Sequence, residues 1–143
     1  MSIRETTADN IVTTLLEIKD LKPGLVTREP FEPEKIAITQ FPAILVESAT
    51  EERETLSMGT TGTRIATIEY LVRGFVRGNE LDTKRNDLVE SIEEALDLDR
   101  NRGQAGIVID TQIIKIDVIK RLPPLAEVHV LVAVRYIFKR GTT

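Results

Sequence analysis

The chain has no cysteine and a single histidine, His129. The first absence removes disulfides, thiolate metal sites and cysteine nucleophiles. The second removes His-rich metal centres. Aromatics number four phenylalanines and two tyrosines, mostly on apolar faces, so there is no stacking platform for single-stranded nucleic acid. The formal net charge is −4, and no global basic field draws in nucleic acid or membrane. No stretch approaches the roughly 18 apolar residues of a membrane span, and Met1-Ser-Ile-Arg-Glu5 lacks the apolar core of a secretory leader. No Asn-x-Ser/Thr acceptor occurs. A cytoplasmic product without an ordinary export signal is the expectation.

Catalytic and ligand motifs are missing as well. Gly59-Thr-Thr-Gly62 lacks the Lys-Ser/Thr of a phosphate loop. No serine stands in a nucleophile-elbow context, and Glu93-Glu94 are neighbours on a helix whose carboxylates diverge. Asp97-Leu-Asp99-Arg-Asn101 opens like a calcium loop. Its sixth and twelfth positions are Arg102 and Val108, where the turn glycine and bidentate glutamate belong. Arg73-Gly-Phe75 resembles the start of an RNA-recognition strand, but Val76-Arg77 follows in place of further aromatics. The basic dyads Lys84-Arg85, Lys120-Arg121 and Lys139-Arg140 sit at the ends of predicted elements and read as solvated termini. No catalytic residue, cofactor site or metal site is expected.

What is present is strand. From Ala126 to Phe138 the even positions are Ala126, Val128, Val130, Val132, Val134, Tyr136 and Phe138, an apolar row at period two that predicts one face on a core. The odd positions are expected to face water at Glu127, His129, Arg135 and Lys139. Leu131, Ala133 and Ile137 interrupt that face. A second long strand is predicted over residues 65–77, with Ala66, Ile68, Tyr70, Val72 and Val76 on one side and Leu71 and Phe75 on the other. Gly74 within it marks a bulge or a close contact. Over residues 107–119 the phase shifts between Ile107, Ile109 and Ile114, Ile116, Val118. One bulge near residues 110–113 would place all five on one side. Pro42 leads into a buried strand, Ala43-Ile-Leu-Val46, and only a short edge strand fits near Leu25–Arg28 among Pro23, Pro30 and Pro33.

Two helices complete the pattern. Ser2-Ile-Arg-Glu5 is a capping box, followed by Ile11, Val12, Leu15, Leu16 and Ile18 at helical spacing. Asp82 or Thr83 is expected to cap the second helix, with Leu88, Ile92 and Leu96 on its buried stripe and Arg100-Asn-Arg-Gly103 ending it. Residues 48–63 read as a long polar loop. With 143 residues, 41% hydrophobic and 29% charged, the chain fits one domain over residues 1–143. The expected fold is α+β, an antiparallel or mixed sheet of about four strands with two α-helices on one face, in the order α-β-β-α-β-β. Strands apolar on one face and mixed on the other point to an assembly protein whose second faces meet a partner.

The order of elements, together with Gln40-Phe-Pro-Ala-Ile-Leu-Val46, Thr67-Ile-Glu-Tyr-Leu-Val-Arg-Gly74, Leu88-Val-Glu-Ser-Ile-Glu-Glu-Ala-Leu96 and Val134-Arg-Tyr136, resembles the bacteriophage tail terminator family. The resemblance covers nearly the whole chain. It implies a structural, non-enzymatic virion protein at the head-proximal end of the tail, a homo-oligomer closing as a ring of six. That ring would cap the tail tube protein, stop its polymerisation and offer a docking surface to the head–neck connector, and DNA would pass through its lumen unbound. It further implies a tube- or connector-facing loop with Glu51, Glu52, Arg53, Glu54, Met58 and Thr60, and a subunit interface with Leu71, Arg73, Phe75, His129, Leu131, Arg135 and Ile137. Another neck or tail-completion connector, or a small-ligand-binding α+β domain, are the alternative readings.

Overall fold

A computed structural model describes residues 2–18, 23–55, 63–104 and 107–139. The elements run α1 (Ile3–Leu16), β1 (Leu25–Thr27), a short 3-10 turn (Ile38–Gln40), β2 (Ala43–Thr55), β3 (Thr63–Arg77), α2 (Leu81–Asp97), β4 (Val108–Ile119) and β5 (Leu125–Lys139). They form a five-stranded mixed sheet in the order β1-β2-β3-β5-β4. Only β1 is parallel to its neighbour; every other pairing is antiparallel. The α+β class and the element order agree with the sequence. The proline-rich stretch contributes its short strand at one edge.

Both helices cover one face. Ser2 caps α1 by accepting a hydrogen bond from the Glu5 backbone N–H at 3.1 Å. The Glu5 carboxylate meanwhile pairs with Arg28 at 2.9 Å, tying α1 to the segment after β1. Ala8, Ile11 and Leu15 bury themselves against Leu88, Ile92 and Leu96 of α2 and the even-numbered row of β3 and β5. Leu16, expected in that stripe, is instead exposed in the last turn. Neither Asp82 nor Thr83 caps α2: the cap position is Glu80, two residues before Asp82, in a left-handed conformation with φ 53°. Asp82 lies in the first turn, where its charge favours the positive helix end, and pairs with Arg85 at 3.1 Å.

The opposite face is partly roofed. Ala43, Leu45 and Phe75 form a second apolar cluster under Leu25, Phe31, Ile36 and Phe41. Phe31 meets Phe75 edge to face, with ring centroids 5.3 Å apart.

Two strand readings change. The stretch read as a loop from Ser48 is largely strand: β2 continues to Thr55 through a register shift between Ser48 and Glu51. Its polar residues would not choose a strand alone, but pairing with a long, apolar β3 overrides propensity. In β4 there are two irregularities, between Val108 and Asp110 and between Ile113 and Lys115. The row on the helix side is therefore Val108, Thr111, Ile113, Ile116 and Val118, opposite Tyr136, Val134, Val132, Val130 and Val128. Ile109 and Ile114 fall at the irregularities and are exposed, so one bulge does not gather all five residues.

Gly74 marks a close approach. A Cβ there would sit 2.5 Å from Leu88 Cδ2 and 3.2 Å from Val128 Cγ1, so the absent side chain is what lets α2 seat on β3. Gly74→Val is expected to cost about 1–3 kcal/mol by overpacking, and Leu88→Ala about 2–5 kcal/mol by opening a cavity. Urea unfolding of the double variant should show a loss smaller than the sum, because the added valine fills the space leucine leaves.

Candidate assembly interface

The face of the sheet away from the helices carries most of the residues expected to meet a neighbour. In the β3–β5 ladder Leu71 stands opposite Leu131 and Arg73 opposite His129, and all four are half-buried. Farther along, Arg135 is exposed opposite Thr67, and Ile137 is half-buried opposite Ile65. Phe75, on the same face, is 1% exposed because the roof covers it.

An ion network organises one end of this face, near the Arg77–Leu125 end of the β3–β5 ladder. Glu127, expected in water, is 2% exposed. Its carboxylate accepts from Arg121 Nε at 2.6 Å and Arg73 Nε at 3.1 Å, and also meets His129 Nε2. Arg73 reaches on to Glu47 at 3.0 Å, and Arg121 to Glu34 at 2.7 Å. Both guanidinium carbons lie over the Phe75 ring, 5.4 and 5.5 Å from its centroid. Burial alone would raise the Glu127 pKa. Hydrogen bonds from Arg121, His129 and Arg73 outweigh it and hold the carboxyl below its ordinary value of 4.5.

The β2–β3 hairpin holds the second group. Glu51, Glu52, Arg53 and Glu54 are on β2; Met58 and Thr60 lie outside the described residues. Glu51 faces inward. It accepts from Arg4 at 3.1 Å, from Arg53 Nε at 2.7 Å and from the Tyr136 hydroxyl at 3.2 Å, so it binds the start of α1 to the hairpin. Burial works against its charge, but hydrogen bonds from Arg53 and Arg4 leave its pKa lowered. Glu52 and Arg53 are exposed.

An open groove of about 610 Å³ lies between Phe41, Pro42 and α2. Its polar lining, including Arg77, Lys84, Asp87, Glu90 and Glu94, is distributed along α2 and the end of β3. Among the described residues no cluster of three or more His, Asp or Glu could hold a metal ion. Among the described residues no helix is long and apolar enough to cross a membrane. The Asp97–Asn101 stretch is a helix end. Arg102, with φ 50°, turns its guanidinium inward to the backbone carbonyls of Leu96 and Asp99.

No known family matches the chain by sequence, and no curated protein does. Among solved structures it is similar to a chain of the virion of a native gene transfer agent particle, with a TM-score of 0.55 over 96% of each chain and 9% identity. What the two share is the fold. The bacteriophage SPP1 gp17 protein aligns over 98% of this chain and 91% of its own at 14% identity, with a TM-score of 0.49.

The network around Glu127 is invisible to a periodicity argument. Period two assigned Glu127 to the face away from the core correctly, but that face is covered there by two arginines, one of them from the turn before β5. The available signal was a lone acid within the apolar run from Leu125 to Val134. Replacing it tests its role. Glu127→Ala is expected to cost about 2–3 kcal/mol at neutral pH, since two guanidiniums lose a charged acceptor. Because the folded-state carboxyl ionises below 4.5, its contribution is present above that pH and is lost as pH falls through the folded value. Urea midpoints should therefore decline less steeply on the acid side for Glu127→Gln than for the wild type.

Proposed function

We propose that this chain is a structural virion protein of the tail-terminator kind, acting by shape rather than chemistry. A ring of six occupies the growing end of the tail tube, blocks further subunit addition and offers its other side to the head–neck connector. The observation that carries this reading is the end-to-end fold likeness to a virion chain of a gene transfer agent particle, over 96% of both chains. The half-buried outer face supports it, because apolar Leu71 and Leu131 adjoin the ion network, Ile137 lies farther along the same face, and together they leave a surface that a neighbour can cover.

In this reading the ring contacts are heterologous, since head-to-tail contacts close a ring and isologous ones close a pair. Leu71, Arg73, His129, Leu131, Arg135 and Ile137 meet the next subunit, with Phe75 buried at the end of the same face beneath Arg73. The hairpin bearing Glu52, Arg53 and Glu54, with Met58 and Thr60, meets the tube or connector, and Glu51 anchors it to α1. A net charge of −4 lets DNA pass the lumen without being gripped.

Purified tail tubes are the direct test. Mixed with the chain, they should carry a cap at one end in negative-stain images, with added mass near six times 16.0 kDa. Replacing residues 57–61 by an Asn-Gly turn should abolish capture and leave the fold intact. Leu71→Glu should prevent ring closure. A chain that ignores tubes but binds isolated head–neck complexes would move the assignment to the neck, and one that ignores both would overturn it.

A further inference from the structure

The ring reading leaves the far edge of the sheet unused. One side of the sheet ends in β1, three residues long, and the other in β4, twelve residues long, with no described strand beyond it. A long edge is a template for pairing, and natural proteins blunt it with proline, bulges or charge. The irregularities of β4 lie before Lys115, so the stretch from Lys115 to Ile119 is regular and contains no proline. Ile114, at the second irregularity just before it, and Ile116 and Val118 within it, are 48%, 42% and 57% exposed. Ile116 and Val118 floor a shallow groove whose other flank is Arg85, Val89 and Glu93 of α2. The helix stops short of covering them.

The centre of β4 is complementary to itself. Ile114-Lys115-Ile116-Asp117-Val118 reads apolar, positive, apolar, negative, apolar. Lys115 and Asp117 share the face of Leu131 and His129, whereas Ile116 and Val118 share the face of Val130 and Val128. Within one copy the two charges meet each other at 3.5 Å, both well exposed. A second copy laid antiparallel with Ile116 opposite Ile116 places Lys115 opposite the second copy's Asp117, and Asp117 opposite its Lys115. Val118 then lies toward the second copy's Ile114, at the irregularity that ends the regular pairing. A twofold axis normal to the sheet keeps helix side with helix side, so the exposed apolar row continues across the seam. Opposite-charge and apolar cross-strand pairs are the pairs that stabilise a ladder. The edge of β1 is too short to match this one.

We propose that two copies of the free chain pair antiparallel along β4, centred on Ile116, and join their sheets into one. The pair is isologous and therefore self-limiting, which withholds a long apolar edge from open-ended stacking. It does not rest on the virion reading, because it uses an edge and not the outer face assigned to ring contacts.

Light scattering over a concentration series is expected to show a species of twice 16.0 kDa for the wild type. Lys115→Asp and Asp117→Lys each set like charges opposite one another twice per pair, and should weaken dimerisation about tenfold or more. Circular dichroism should remain unchanged for both, since these positions are exposed. Mixing the two variants is the decisive arm. The Lys115→Asp chain offers two carboxylates and the Asp117→Lys chain two ammonium groups, so the cross-strand charge pairs are attractive only between unlike chains. The mixture should regain the dimer that each variant alone has lost. A wild type that stays monomeric, or forms only larger rings, overturns the proposal. So does a dimer that both reversals leave intact, or one that mixing fails to restore.

Discussion

The unbroken antiparallel pairing of β3 with β5, from Thr63 opposite Lys139 to Arg77 opposite Leu125, is the constraint from which the other parts take their positions. It aligns the two even-numbered apolar rows on one face, and both helices seat on that double row. It sets Gly74 beside Val128, giving α2 its point of closest approach. On the other face it puts Arg73 opposite His129, within reach of Glu127. A slip of one residue would turn every one of these side chains to the wrong face.

The outer face shows how a charged site can be built on a sheet without unpaired charge. Burial of Glu127 opposes its ionisation, yet Arg73, Arg121 and His129 converge on it from three places in the chain. The same arginines lie over Phe75, whose ring is shared with the roof from residues 29–42. Strand register, the turn before β5 and the roof thus meet at one carboxylate. What remains uncovered on that face is a mixed margin of leucine, isoleucine and arginine, the composition of a surface that can meet protein without being a core.

Much of the fold was legible because its strongest signals are local. Period-two rows on β3 and β5, the Ser2 cap and the Leu88, Ile92, Leu96 stripe each come from residues near one another in sequence. The extension of β2 past Ser48 was not legible, because a Glu-rich strand exists there only by virtue of its partner. The start of α2 was missed because Glu80 takes a left-handed conformation where a Ser/Thr/Asp cap was expected. The network around Glu127 needs residues from five segments, the roof, β2, β3, the turn before β5 and β5 itself, of which Arg121 and His129 are nearest in sequence. Pairwise register, not composition, decides who meets whom, and a single sequence does not display it.

The contrast between the two flanks of β5 has a mechanical side. Toward β3 its hydrogen bonds form a continuous ladder, whereas toward β4 the ladder is interrupted twice. A pull directed along the strands loads the continuous ladder in shear, so many bonds bear the force together. The interrupted flank divides into short runs that yield one after another, as a zipper does. The sheet is therefore stiff along its middle and compliant at the β4 margin, and deformation under load would be taken up at that margin before the helix-bearing centre moves.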